Sequence, residues 1–163
     1  MTDTKPGANP LFLRDEELRQ AIELLFFAYR DFTSEADAML ARHGFGRAHH
    51  RVIYFVGRHP MISVSALLDT LRITKQSLSR VLSQLIRDGF IVQHRGTSDR
   101  RQRLLELTEK GIEIERQLTE AQRQRIARAY REAGGEAVHG FRAVLLGIMD
   151  PPDRGRFTGK GSP

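Results

Sequence analysis

The sequence predicts a mainly helical fold that carries one small β-hairpin. Three observations predict it. Apolar residues recur at steps of three and four through most of the chain, which is the helical period. That period gives way only once, at residues 91–107, to short β-like runs. Glycine, proline, serine and threonine fall at the joins between apolar runs, where helices start and stop.

Residues 1–14 read as a flexible arm, since Pro6, Gly7 and Pro10 discourage regular structure. From Asp15 a helix runs to about residue 42, with Leu18, Ile22, Leu25, Tyr29, Phe32, Ala36 and Met39 in one stripe. Phe26, Phe27 and Leu40 widen that stripe, so the helix needs a large partner surface. Asp15, Glu16 and Glu17 suit the positive end of its dipole, and Gly44 supplies a stop. A shorter helix over 48–58 carries Val52, Ile53, Phe55 and Val56, and ends at Gly57 and Pro60. Ser63 is placed to cap a helix over 64–71 with Ala66, Leu67 and Leu71 inward. After the link Arg72-Ile73, Thr74 caps another over 75–88, with Leu78, Val81, Leu82, Leu85 and Ile86 on its apolar face. Gly89 closes it where left-handed backbone is favoured. Residues 91–94 and 105–107 form strands flanking a polar tip at Gly96, Thr97, Ser98 and Asp99. Thr108 caps a long helix to about Glu132, acidic in its first turns and arginine-rich in its last. Gly134 and Gly135 break it, and a final helix over 137–149 carries Phe141, Val144, Leu145 and Ile148. Residues 151–163, rich in Gly, Pro and Arg, read as a disordered tail.

Composition narrows the function. The 163 residues are 40% hydrophobic and 28% charged, an ordinary globular balance with a net charge of +6. The charge is localised: residues 1–42 carry a net of −3, residues 43–110 a net of +7, residues 111–150 none, and 151–163 a net of +2. A solubilising charge has no reason to concentrate so, and residues 43–110 become the candidate polyanion-binding unit. Cysteine is absent, which excludes disulfides, thiolate metal sites and thiol redox sensing. No apolar run is long enough to span a bilayer and the N-terminus lacks a signal-peptide core, so the expected location is cytoplasmic, without a membrane partner. There is no phosphate-binding Gly-rich loop, no metal-ligand spacing and no Ser/His/Asp arrangement; neither an enzyme nor a cofactor is expected.

Two short helices joined by a tight link and followed by a basic hairpin make the pattern of a winged helix-turn-helix. The second helix must then be apolar on one side and polar on the other. Opposite its apolar face lie Gln76, Arg80, Ser83 and Arg87, with Ser77 and Gln84 flanking, and Thr74, Lys75 and Ser79 at or near its start. Such residues hydrogen-bond base edges and phosphates. An ordinary solvated face mixes Glu with Lys, and this one has no Glu. The hairpin holds Arg95, Arg100, Arg101 and Arg103 with His94 against Asp99, a cluster that phosphates would neutralise. Asp99 has two readings, which can coexist: it orients the Arg101 guanidinium through a bidentate pair, and it caps the turn.

These residues carry a resemblance. The run Asp99-Arg100-Arg101-Gln102-Arg103-Leu104-Leu105-Glu106-Leu107-Thr108 resembles the wing signature of the MarR family of bacterial transcriptional regulators, followed as in that family by Glu109-Lys110-Gly111. Ile73-Thr74-Lys75-Gln76-Ser77-Leu78-Ser79-Arg80 is similar to the start of its recognition helix. The resemblance implies a homodimer whose terminal helices interlock (15–47 and 111–150 here), setting two winged heads (48–110) on a pseudo-palindromic operator in double-stranded DNA. The wide apolar stripe of residues 15–42 and the apolar helix at 137–149 point the same way, since one small head cannot cover them. A non-specific nucleoid-coating or RNA-binding basic protein is the competing reading, and sequence dependence separates the two.

The resemblance also implies a small-molecule effector, often an aromatic anion, bound between the dimer helices and the head. Phe26, Tyr29 and Phe55 with Arg30, Arg47 and Arg51 are the candidate cleft, and core packing with surface arginines is the plainer reading. The histidines are His43, His49, His50, His59, His94 and His139. Some metal-responsive relatives bind zinc near the first three, but adjacent His49 and His50 point about 100° apart on a helix, and no metal is expected. His94 is expected on a phosphate.

Overall fold

The structure, a computed structural model, describes residues 10–159. Its elements are α1 (Asp15–Ala41), α2 (Arg47–Arg58), β1 (Ile62–Ser63), α3 (Val64–Leu71), α4 (Lys75–Arg87), β2 (Ile91–Arg95), β3 (Arg103–Leu107), α5 (Glu109–Ala133), α6 (Gly135–Ile148) and α7 (Pro151–Thr158). They fall into two compact units, one ending at Gln122 and the other starting at Arg123.

In the first unit the helix starts follow the side-chain chemistry. Ser63 Oγ accepts from the Ala66 amide, and Thr74 Oγ1 accepts from the Ser77 amide, each at 3.1 Å. These caps satisfy amides that the first turn of a helix leaves unpaired. The tight link between α3 and α4 is made by Arg72, which takes a left-handed conformation at φ +51°. Gly89 takes φ +81° after α4. Leu67, Leu78, Val81, Leu82 and Leu85 then face one core with Val52, Ile53 and Val56 of α2. Phe90, just before β2, and Ile91, Leu105 and Leu107 of the sheet close it, with Ala36 and Leu40 from α1 and Ile114 and Leu118 from α5.

The sheet is antiparallel in the order β1-β3-β2. Its first strand, Ile62–Ser63, was not expected; it pairs with Leu105 and Leu104 of β3. Two other inward assignments are corrected. Ala66 is exposed and Leu68 packs against the core in its place, while Ile86 is 37% exposed at the edge of the apolar face.

The structure describes parts of the expected arm and tail. Leu11–Leu13 form a 3-10 turn, closed by the Leu13 amide on the Pro10 carbonyl at 2.8 Å; residues 1–9 lie outside the described residues. In the second unit, residues 151–158 are helical rather than disordered. Pro151 sits at the first helical position, where its missing amide costs nothing. Arg154 donates to the carbonyls of Met149 and Gly147, at 2.9 and 3.1 Å, and so ties α7 to the end of α6. Residues 160–163 lie outside the described residues.

Large apolar side chains remain exposed in both units. On α1 these include Leu18, Ile22, Leu24, Leu25, Phe26 and Phe27; on α6, Phe141, Val144 and Ile148. Among the described residues, no helix is long and apolar enough to cross a membrane.

Candidate nucleic-acid interface

The candidate interface is formed by α4 and the β2–β3 hairpin. Leu78, Val81, Leu82 and Leu85 anchor one side of α4, which forces Lys75, Gln76, Ser79, Arg80, Ser83 and Arg87 outward, all exposed. Among the described residues, the side chains of Lys75, Gln76, Ser79, Arg80 and Ser83 have no protein partner. Arg87 contacts the neighbouring Asp88 at 3.4 Å. Thr74 and Ser77 are engaged in the cap, where the Thr74 hydroxyl also donates to Ser77 Oγ at 2.9 Å.

Register pairing places Arg95 directly opposite Arg103. Like charges facing each other across a strand pair repel. Among the described residues Arg95, Arg100, Arg101 and Arg103 have no carboxylate partner, so nothing in the protein offsets that repulsion. Gln93, Arg95, Arg100, Arg101 and Arg103 line a recess of about 430 Å³ on the hairpin. A larger cleft of about 610 Å³ separates the hairpin from α4, with Lys75, Ser79 and Ser83 on one wall and Gln93, Asp99, Arg101 and Arg103 on the other. Lys75, Gln93, Arg101 and Arg103 offer donors here that can meet a phosphate backbone, beside the Asp99 carboxylate and the apolar side chains of Val64, Leu68, Leu78, Leu82 and Ile86.

Of the two readings of Asp99, the structure supports the turn. Its Oδ1 accepts from the Arg101 backbone amide at 2.9 Å, and the Gln102 amide closes on the Asp99 carbonyl at 3.1 Å. Asp99 thus acts on Arg101 through the backbone, setting where the residue leaves the turn, and among the described residues the guanidinium has no hydrogen-bond partner. Two of the expected contact residues also have partners within the protein. The Nε2 of His94 lies 3.0 Å from Glu106 Oε2 on the neighbouring strand. Gln84 is half-buried and occupied, with its Oε1 2.8 Å from His49 Nε2. Sequence reasoning missed Gln93, which lines both cavities. Its signal was the alternation of a strand, which puts residue 93 on the same face as Arg95.

The candidate effector cleft is only partly assembled. Tyr29, Arg47 and Arg51 come together: Arg51 donates to the Tyr29 hydroxyl at 3.3 Å, and the Arg47 guanidinium lies 5.6 Å from the Tyr29 ring centre. Arg47 also pairs with Asp37 at 3.2 Å. Arg30 is drawn elsewhere, onto the Phe27 ring and Asp31. Phe26 packs edge-on against Phe27, and Phe55 packs against Tyr54 and the core. Both ring nitrogens of His49 are already used within the protein.

A capped helix-turn-helix with an outward polar helix, flanked by a hairpin of unpaired arginines, defines a winged helix-turn-helix DNA-binding protein. The MarR family profile matches residues 43–102. The chain is 52% identical over 159 residues to the HTH-type transcriptional regulator PetP of Rhodobacter capsulatus, with 96% of each chain covered. It belongs to the MarR family of transcriptional regulators. Solved structures agree on the fold. A MarR family transcription regulator superposes with a TM-score of 0.70 at 19% identity, covering 82% of this chain and 88% of that one. Streptococcus pneumoniae FabT, solved in complex with DNA, gives 0.70 at 20% identity, covering 80% and 94%.

Proposed function

We propose that the protein acts in the cytoplasm as a homodimer that binds a pseudo-palindromic operator in double-stranded DNA. In this reading α4 enters the major groove and the hairpin reaches the adjacent minor groove through Arg101. The observation that carries it is the pairing of an outward face on α4, free of acidic residues, with four arginines that no protein carboxylate neutralises. A symmetric dimer would set its two α4 helices about 34–36 Å apart, one turn of DNA. Gln76, Ser77 and Arg80 are the base readers in this proposal, and Lys75, Ser79, Ser83 and Arg87 the backbone contacts.

The test is an anisotropy titration at about 0.15 M salt, comparing a duplex from upstream of the protein's own gene, or one selected from a random pool, with a scrambled duplex of equal length. A preference of about a thousandfold supports site-specific regulation. Equal, steeply salt-dependent binding would instead favour a nucleoid-coating or RNA-binding protein. Arg101→Ala is expected to weaken operator binding markedly with the dimer intact by sedimentation. Alanine at Gln76 or Arg80 is expected to lower discrimination by about 1–3 kcal/mol, as for a base reader. A uniform loss on all duplexes would reassign the residue to phosphate.

A small aromatic anion fits the same reading as an effector, received by Tyr29, Arg47 and Arg51. Release of the labelled duplex by such anions, abolished in Arg51→Ala, is the expected result.

A further inference from the structure

We propose that His49 is a positioning residue for DNA reading: through Gln84 it holds α4 against the start of α2, and so sets the angle at which Gln76, Arg80 and Ser83 meet the groove. The proposal rests on the DNA-binding reading above and adds to it a residue that touches no DNA.

The two ring nitrogens of His49 are committed in different directions. Nδ1 lies 3.0 Å from the Gly46 amide nitrogen, and Nε2 lies 2.8 Å from Gln84 Oε1. A backbone amide can only donate, so Nδ1 is the acceptor and carries no proton. The ring proton therefore sits on Nε2 and is donated to Gln84. The ring plane is held as well. It stacks on Phe45 at 4.7 Å between centres, and Phe45 meets Phe90 edge-on at 5.2 Å. Phe45 and Phe90 are both buried, so the imidazole cannot swing without disturbing the core.

At the other end of this strut, Gln84 stands one helical turn from both Arg80 and Arg87. Arg80, Ser83 and Arg87 are exposed, whereas Gln84 is half-buried beside them. A hydrogen bond between residues 35 apart in sequence thus fixes the flank of the reading face. The Gly46 amide that His49 accepts from is the N-cap of α2, so one ring both caps α2 and braces α4.

The experiment uses the full-length protein, an operator duplex selected from a random pool and a scrambled duplex of equal length. The ratio of the two dissociation constants is measured for the wild type, His49→Asn, Gln84→Met, the double variant and His49→Gln. Asparagine keeps an acceptor for Gly46 but falls short of Gln84; glutamine at the third position of a helix serves both partners. The operator preference is expected to fall about fivefold in His49→Asn and in Gln84→Met, as for one hydrogen bond. It should fall no further in the double variant and return in His49→Gln. A loss in Gln84→Met with none in His49→Asn would make Gln84 a direct DNA contact and overturn the proposal. No loss in either, additive losses, or equal weakening on both duplexes would overturn it too. A wild type that does not distinguish the duplexes removes the DNA-reading assignment itself and this proposal with it, a result visible before any variant is made.

Discussion

His50 shows how a single half-buried side chain couples stability to pH. It is half-buried on α2, with Asp37 of α1, Glu115 of α5 and Arg51 of its own helix as the charged groups around it. Burial pushes its pKa below the ordinary imidazole value of 6.5 and outweighs Asp37 and Glu115, which act to raise it; Arg51 acts with burial. The sign follows from linkage. As pH falls through 6.5 the unfolded chain takes up its proton first, so stability declines, and the loss is complete once pH is below the folded value. Urea denaturation from pH 7 to pH 5 should therefore show a falling midpoint, and His50→Leu should flatten that slope. An unchanged slope in the variant would assign the pH dependence to other groups. Asp37 adds to the polarity of this junction. Its Oδ2 takes Arg47 at 3.2 Å, while its buried Oδ1 has no hydrogen-bond partner among the described residues.

At the scale of elements, the contact that seats α5 on the head runs through one glycine. Thr108 Oγ1 donates to the Gly89 carbonyl at 2.6 Å and accepts from the Gly111 amide at 3.1 Å. This brings the first turn of α5 onto the backbone of Phe90. A Cβ at Gly111 would overlap the Phe90 carbonyl oxygen, with the Leu107 side chain 3.2 Å away. Gly111→Ala is expected to cost about 1–3 kcal/mol by forcing α5 off the sheet. Gly89 offers a contrast, because nothing lies near its Cβ position and only its left-handed backbone resists a side chain. Gly89→Ala is expected to cost about 1–2 kcal/mol through that strain alone. Chemical denaturation of both variants checks the pair. If Gly111→Ala were neutral, α5 would not sit as closely on Phe90 as its hydrogen bonds indicate.

At the scale of the whole molecule, the exposed apolar faces are what the proposed homodimer would cover. Ile22 on α1 is 70% exposed and Phe141 on α6 is 43% exposed, among many like them. Replacing such residues with Glu in a monomer would be neutral or favourable, since both remain in water. In the proposed homodimer the same change buries a charge. Ile22→Glu and Phe141→Glu are therefore expected to dissociate the dimer by sedimentation velocity, and to remove the concentration dependence of Tm. Operator affinity should fall steeply with them, because one head then holds one half-site. Variants that sediment like the wild type would remove these faces from the interface.

The sequence by itself determined what is local. Ser63 and Thr74 were legible as caps, Gly89 as a stop, and the polar face of α4 as the one turned outward, because each depends on residues within one or two turns. The wing signature made the family legible for the same reason: its spacing is a relation along the chain. One local reading went astray. Gly and Pro in residues 151–158 suggested disorder, but Pro151 at the first helical position starts α7 well. The tertiary structure decided everything that depends on how distant elements meet. Register set Arg95 against Arg103 and took His94 to Glu106; a return of the chain made β1, a strand of two residues with no pattern of its own. Packing of α2 on α4 brought Gln84 onto His49. Contacts of this kind depend on crossing angles and registers, which arise only when a shared core is packed, and no spacing along the chain encodes them.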